Sequence, residues 1–147
     1  MTAIAASIAP AGGEGADGEL SLMRLYVLRA TYALIALGAG SIMIPDLFVH
    51  APMDRGVIPS LLGALSLMCL FGVRYPRAML PLLLFEFAWK AIWMLAYALA
   101  QWSSGQMPPT FEADLVGILF GAILMPIVIP WGYVWRTYVK LPGDRWR

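Results

Sequence analysis

The sequence predicts an all-α fold, an integral membrane four-helix bundle with both termini in the cytoplasm. Three observations predict it. The composition is 61% hydrophobic and only 13% charged, with a mean hydropathy of +0.74, whereas soluble domains carry roughly 25% charged residues. Four apolar stretches approach the length of about 20 residues that a helix needs to cross a bilayer. Of the ten lysines and arginines, eight fall at one side of those stretches.

Residues 1–20, "MTAIAASIAPAGGEGADGEL", lack the basic start and continuous apolar core of a signal peptide and read as a disordered, solvated tail. The transmembrane domain is expected over 21–140. Its first span is 25–44, interrupted by Arg29. The second, 57–73, is short. The third, 78–100, contains Glu86 and Lys90. The fourth is 115–135, and 141–147 forms a basic cytoplasmic tail. The connections "PDLFVHAPMDRG" and "QWSSGQMPPTFEAD" are rich in breakers, and "RYPR" is a tight turn that makes spans two and three antiparallel neighbours.

Orientation follows from charge. Arg24, Arg29, Arg74, Arg77, Arg136, Lys140, Arg145 and Arg147 share one side, and the other has Arg55 against Asp46, Asp54, Glu112 and Asp114. The positive-inside bias then sets both termini in the cytoplasm. Tyr75, Trp102, Trp131, Trp135 and Tyr138 fall where an interfacial aromatic belt belongs.

Helices surrounded by lipid pack through small residues and internal polar contacts. Ala36 and Gly40 in span one, and Gly117 and Gly121 in span four, have the small-xxx-small spacing. They suit packing within one bundle or against a second copy or another membrane protein. Pro126 and Pro130 should bend the end of span four. Each lacks an N–H, so the carbonyls of Ala122 and Pro126 lose their usual donors and need others.

The segment "LFEFAWKAIW" carries opposite charges one turn apart. Glu86 and Lys90 at i and i+4, acid first, lie on one helix face in the better order for pairing. Trp93, Tyr97 and Gln101 extend that face. At about 1.5 Å per residue, Glu86 lies roughly 12 Å past Ala78 and Lys90 roughly 18 Å, near the middle of a roughly 30 Å core. Arg29, with Tyr32 one turn deeper, has two options. It can reach inward to make an Arg–Glu–Lys cluster, or extend outward to the headgroups. The candidate polar cluster is therefore Arg29, Tyr32, Glu86, Lys90, Trp93 and Tyr97, read either as a register-fixing ion pair or as a ligand site.

No phosphate-binding loop, HExxH or GxSxG motif occurs, so no catalytic residue is assigned. His50 with Asp46, Asp54, Glu112 and Asp114 matches no metal-ligand spacing. The expectation is no metal and no other cofactor. The net charge of +1 gives no field for nucleic acid. Membrane lipids are the expected partners, with the basic tail near anionic headgroups.

The stretch "RYPRAMLPLLLFEFAWKAIW", followed by a span ending "IPWGYVW", resembles an uncharacterised family of small bacterial four-span integral membrane proteins. That resemblance implies the architecture and a multi-pass location in the bacterial inner membrane, and no activity. The size and span number are also similar to small multidrug resistance transporters. Those carry their working glutamate in the first span, where this chain has Arg29 and no acid, so their function is not carried over. The function expected is a non-enzymatic subunit, scaffold or ligand-binding module with a buried Glu–Lys stripe. The alternative is a small transporter or intramembrane enzyme acting on an amphipathic or lipid-like ligand.

Overall fold

The computed structural model describes residues 20–49, 55–105 and 111–142, without the side chains of 111–114. All but Leu20 of the expected tail at 1–20, and most of the basic tail at 141–147, lie outside these residues. All elements among the described residues are helical. Helix α1 spans Leu22–Asp46, and α2 spans Val57–Arg74. Helix α3, Leu80–Trp93, runs through a π turn at Met94–Ala98 into α4, Leu99–Ser104. Helix α5 covers Phe111–Val128, and α6 covers Trp131–Val134, followed by a second π segment at Trp135–Lys140. Three helices are long and apolar enough to cross a membrane, and a fourth if α5 and the bent segment after it count as one span.

Local chemistry sets the ends. The Ser21 hydroxyl caps α1 by accepting from the Arg24 N–H at 3.3 Å. Pro81 sits in the first turn of α3, where a missing N–H costs nothing. Gly105 ends α4 with φ of 68°, a left-handed conformation that glycine adopts without steric cost.

The bend in the fourth span falls at Pro130. The helix passes through Pro126, and Ile129 still donates to the Met125 carbonyl at 2.9 Å. Pro130 then takes φ −78° and ψ 79°, the geometry of an inverse γ-turn, with the Trp131 N–H donating to the Ile129 carbonyl at 3.0 Å. The axis changes direction by 68°. The Pro126 carbonyl, deprived of its donor by Pro130, accepts from the Trp131 indole Nε1 at 2.8 Å. The Arg24 guanidinium also donates to the Ile129 carbonyl at 3.3 Å, which places a cation on the negative end of α5.

Helices α1 and α2 pack antiparallel along their length. The Tyr32 ring lies where a Cβ on Gly72 would be, Gly40 meets the Ser66 Cβ, and Gly63 meets Leu47. Helix α3 crosses α5, with Lys90 against Gly121 and the Phe87 ring edge-on to Trp131, centroids 5.7 Å apart. The four helices meet at one end. Leu28, Tyr32 and Ile35 of α1, Cys69 of α2, Leu80 and Leu83 of α3, and Met125, Val128 and Ile129 at the end of the fourth span form one buried cluster there. Arg24, Arg29, Arg74, Arg77, Arg136 and Lys140 belong to that same end. At the far end α4 has no buried residue.

Candidate functional site

Glu86 and Lys90 lie on the inward face of α3, each 6% exposed. The Lys90 Nζ donates to the Glu86 Oε1 at 2.6 Å. The Trp89 indole Nε1 donates to the other carboxylate oxygen, Oε2. Lys90 Nζ also stands 4.1 Å from the centroid of the Trp89 ring, within cation–π range. The Lys90 stem lies against Gly121, where any Cβ would collide with it. Both carboxylate oxygens therefore have a donor, and the ammonium has an anion, an aromatic face and a fitted groove on α5. Among the described residues no buried side-chain nitrogen or oxygen lacks a partner.

Of the six residues expected in this cluster, Glu86 and Lys90 are joined directly. Arg29 does not join the pair. It is half-buried at the start of α1, with its guanidinium 5.5 Å from the Tyr26 centroid. Tyr32 is fully buried, but its hydroxyl donates to the Pro76 carbonyl at 3.2 Å, pinning the α2–α3 turn to α1. Trp93 is half-buried. Tyr97 is 61% exposed, while Ala98 is buried at 7%. The π turn explains this correction. Leu99 donates to the Met94 carbonyl, five residues back, so one extra residue fits in the turn. The face that holds Glu86 and Lys90 then continues to Ala98, and Tyr97 rotates away.

The small-residue positions divide in the same manner. Gly40 packs on Ser66, and Gly121 accommodates Lys90, whereas a Cβ on Gly117 would meet nothing within 4 Å. Ala36 is half-buried beside the core cluster. Within a single chain only Gly121 of the two meets a neighbour. Trp89 was passed over by the stripe through 86, 90, 93 and 97. Its signal was present, since i, i+3 neighbours also share a helix face.

Two surface clefts among the described residues touch members of the expected cluster. One, of about 300 Å³, is lined by Leu25, Arg29, Arg74, Tyr75, Pro76, Arg77 and Ala78. The other, of about 210 Å³, is lined by Ala96, Tyr97, Ala100, Gln101 and Ser104. Neither reaches Glu86 or Lys90. Of the external acid and histidine set, His50 and Asp54 and the side chains of Glu112 and Asp114 lie outside the described residues. No protein-family model, curated protein or solved structure matches the chain.

Proposed function

We propose that the chain is a multi-pass protein of the bacterial inner membrane, both termini cytoplasmic, acting as a non-enzymatic subunit, scaffold or ligand-binding module. The observation that carries this reading is that both members of the charged pair find their partners within the protein. A glutamate that moves protons or holds a substrate needs a free oxygen facing a path. Here Lys90 and Trp89 occupy both oxygens of Glu86, and neither cleft leads to it. The pair acts as an internal clasp that fixes the register of α3 on α5. Lipid surroundings are supported by the wide apolar surface, for which a water-soluble monomer has no use. The orientation is supported by the six described basic residues at the closed end.

Topology is tested by reporter fusions after residues 50, 106 and 147, expected to read outside, outside and inside. An outside reading at 147 overturns the orientation.

The clasp is tested by a thermal-stability cycle in detergent on Glu86→Gln, Lys90→Met and the double variant. Breaking a buried pair from one side costs roughly 3–5 kcal/mol, and replacing both members removes the desolvation penalty too. The double variant should therefore lose less than the two singles summed, and should complement a strain lacking the chain as the wild type does. Strictly additive losses dissolve the pair. A double variant that folds but fails to complement turns the reading to the alternative, a transporter or intramembrane enzyme for a lipid-like ligand.

A further inference from the structure

We propose that the cleft between the start of α1 and the α2–α3 turn binds the phosphodiester headgroup of an anionic phospholipid. Three of its lining residues are arginines, Arg29, Arg74 and Arg77, and none is acidic. Guanidinium groups present planar forks of donors that match phosphate oxygens. Two of the three are held by aromatic rings. Arg29 lies over Tyr26, and Arg74 lies over Tyr75, each 5.5 Å from the centroid. The Arg74 Nε donates to the Tyr75 hydroxyl at 3.0 Å. Among the described residues no hydrogen bond or ion pair occupies the half-buried Arg29 guanidinium, so its donors await an acceptor.

The walls are stiff. Tyr32 holds the turn through the Pro76 carbonyl, and its ring fills the space beside Gly72. Pro76 itself is buried. The backbone that carries the arginines of the two walls is thereby kept at a set separation.

A lipid, rather than a free phosphate, is favoured by the rest of the lining. Leu25, Pro76 and Ala78 form an apolar wall beside the arginines, suited to a glycerol backbone and the top of an acyl chain. Leu25 also lies one turn into α1, where headgroup gives way to hydrocarbon. Arg24, which points to the Ile129 carbonyl, is committed elsewhere and is not part of the site.

The inference rests on the membrane reading but not on which face is cytoplasmic, since binding in micelles has no sidedness. Full-length chain in a neutral detergent is titrated with phosphatidylglycerol, phosphatidylcholine or inorganic phosphate. The melting temperature is followed, and retained lipid is counted by native mass spectrometry. The expected result is a saturable rise in Tm with phosphatidylglycerol, one molecule retained per chain, and no rise with the other two. Replacing Arg29, Arg74 and Arg77 together by glutamine should weaken half-saturation roughly a hundredfold, and Arg29→Gln alone about fivefold, at the usual contribution of a basic group beside anionic lipid. The control variant Arg136→Gln/Lys140→Gln, which changes basic residues outside the cleft, should bind as the wild type does. An equal response to phosphatidylcholine overturns the proposal, as does an equal loss in the control variant. A full rise with inorganic phosphate alone makes the cleft an anion site and overturns the lipid assignment. The headgroup comparison uses the unmodified chain, so it stands even if the triple variant fails to fold.

Discussion

The two ends of the bundle are packed on different principles. At the end bearing Arg24 and the 74–79 turn, Leu28, Tyr32, Leu80, Leu83 and Ile129 are fully buried, and all four spans contribute. At the far end Leu95 is 71% exposed, Val116 70% and Val57 67%, and α4 buries nothing. Most of the buried polar groups sit at the packed end, with Ser66 buried further along α2 against Gly40. Tyr32, Thr31, Glu86, Lys90 and the carbonyls freed by Pro130 all belong to the packed half. In water apolar surface drives burial, but in lipid it is already at home. The groups that demand protein contact there are those that lipid cannot satisfy. On the membrane reading proposed above, the tightly packed end is the one that holds most of the buried polar groups.

That comparison is sharpened by making one chemical change at both ends. Gly121→Ala should be the most damaging. It sets a methyl where the Lys90 stem lies; if the stem, held by Glu86 and Trp89, cannot yield without leaving Glu86, the cost approaches the roughly 3–5 kcal/mol of a broken buried pair. The readout is the thermal midpoint in detergent, and an unchanged value would show that Lys90 has another route. Gly72→Ala comes next. Its methyl overlaps the Tyr32 ring, and overpacking of this kind costs about 1–3 kcal/mol. Trp131→Phe is smaller. It keeps a ring against Phe87 but removes the donor to the Pro126 carbonyl, a loss of about 1 kcal/mol. If Trp131→Phe and Trp131→Ala lose equally, the ring's packing contributes nothing. Last are Gly38→Ala and Gly117→Ala, which face open space. They should gain up to about 1 kcal/mol from helix propensity. A loss at Gly117 instead, accompanied by a smaller particle on size exclusion, would mean that a second copy covers the far end.

The span positions were legible because each is an apolar run closed by breakers, and the observed ends of α1 and α2 differ from expectation by at most three residues. The orphaned Pro126 carbonyl was legible too, since Pro130 has no N–H to offer it. Its donor was not. The Trp131 indole comes into range only after the chain turns at Pro130, and that turn is a matter of dihedral choice. The Glu86–Lys90 pair was legible from spacing alone. Tyr97 was misplaced because "MLAYA" carries no visible mark of a π turn, and a single extra residue rotates everything after it. Trp89 was overlooked because the stripe was drawn through i+4 and i+7 and skipped i+3.

By itself the sequence determined the ends of the first two helices to within three residues, which carbonyls lose a donor, and which two charges share a face of α3. These follow from covalent structure and helical spacing, which no neighbour can alter. Only the tertiary structure decided how each helix is rotated about its axis. That rotation sends Arg29 outward to the 74–78 turn while Tyr32, on the same helix, enters the core. It seats Lys90 on Gly121 and leaves Gly117 facing outward. The physical reason is that a span apolar on every side has no face that hydrophobicity prefers. Its orientation is set by shape, by a Tyr32 ring that fits only where Gly72 leaves room and a lysine stem that fits only across Gly121.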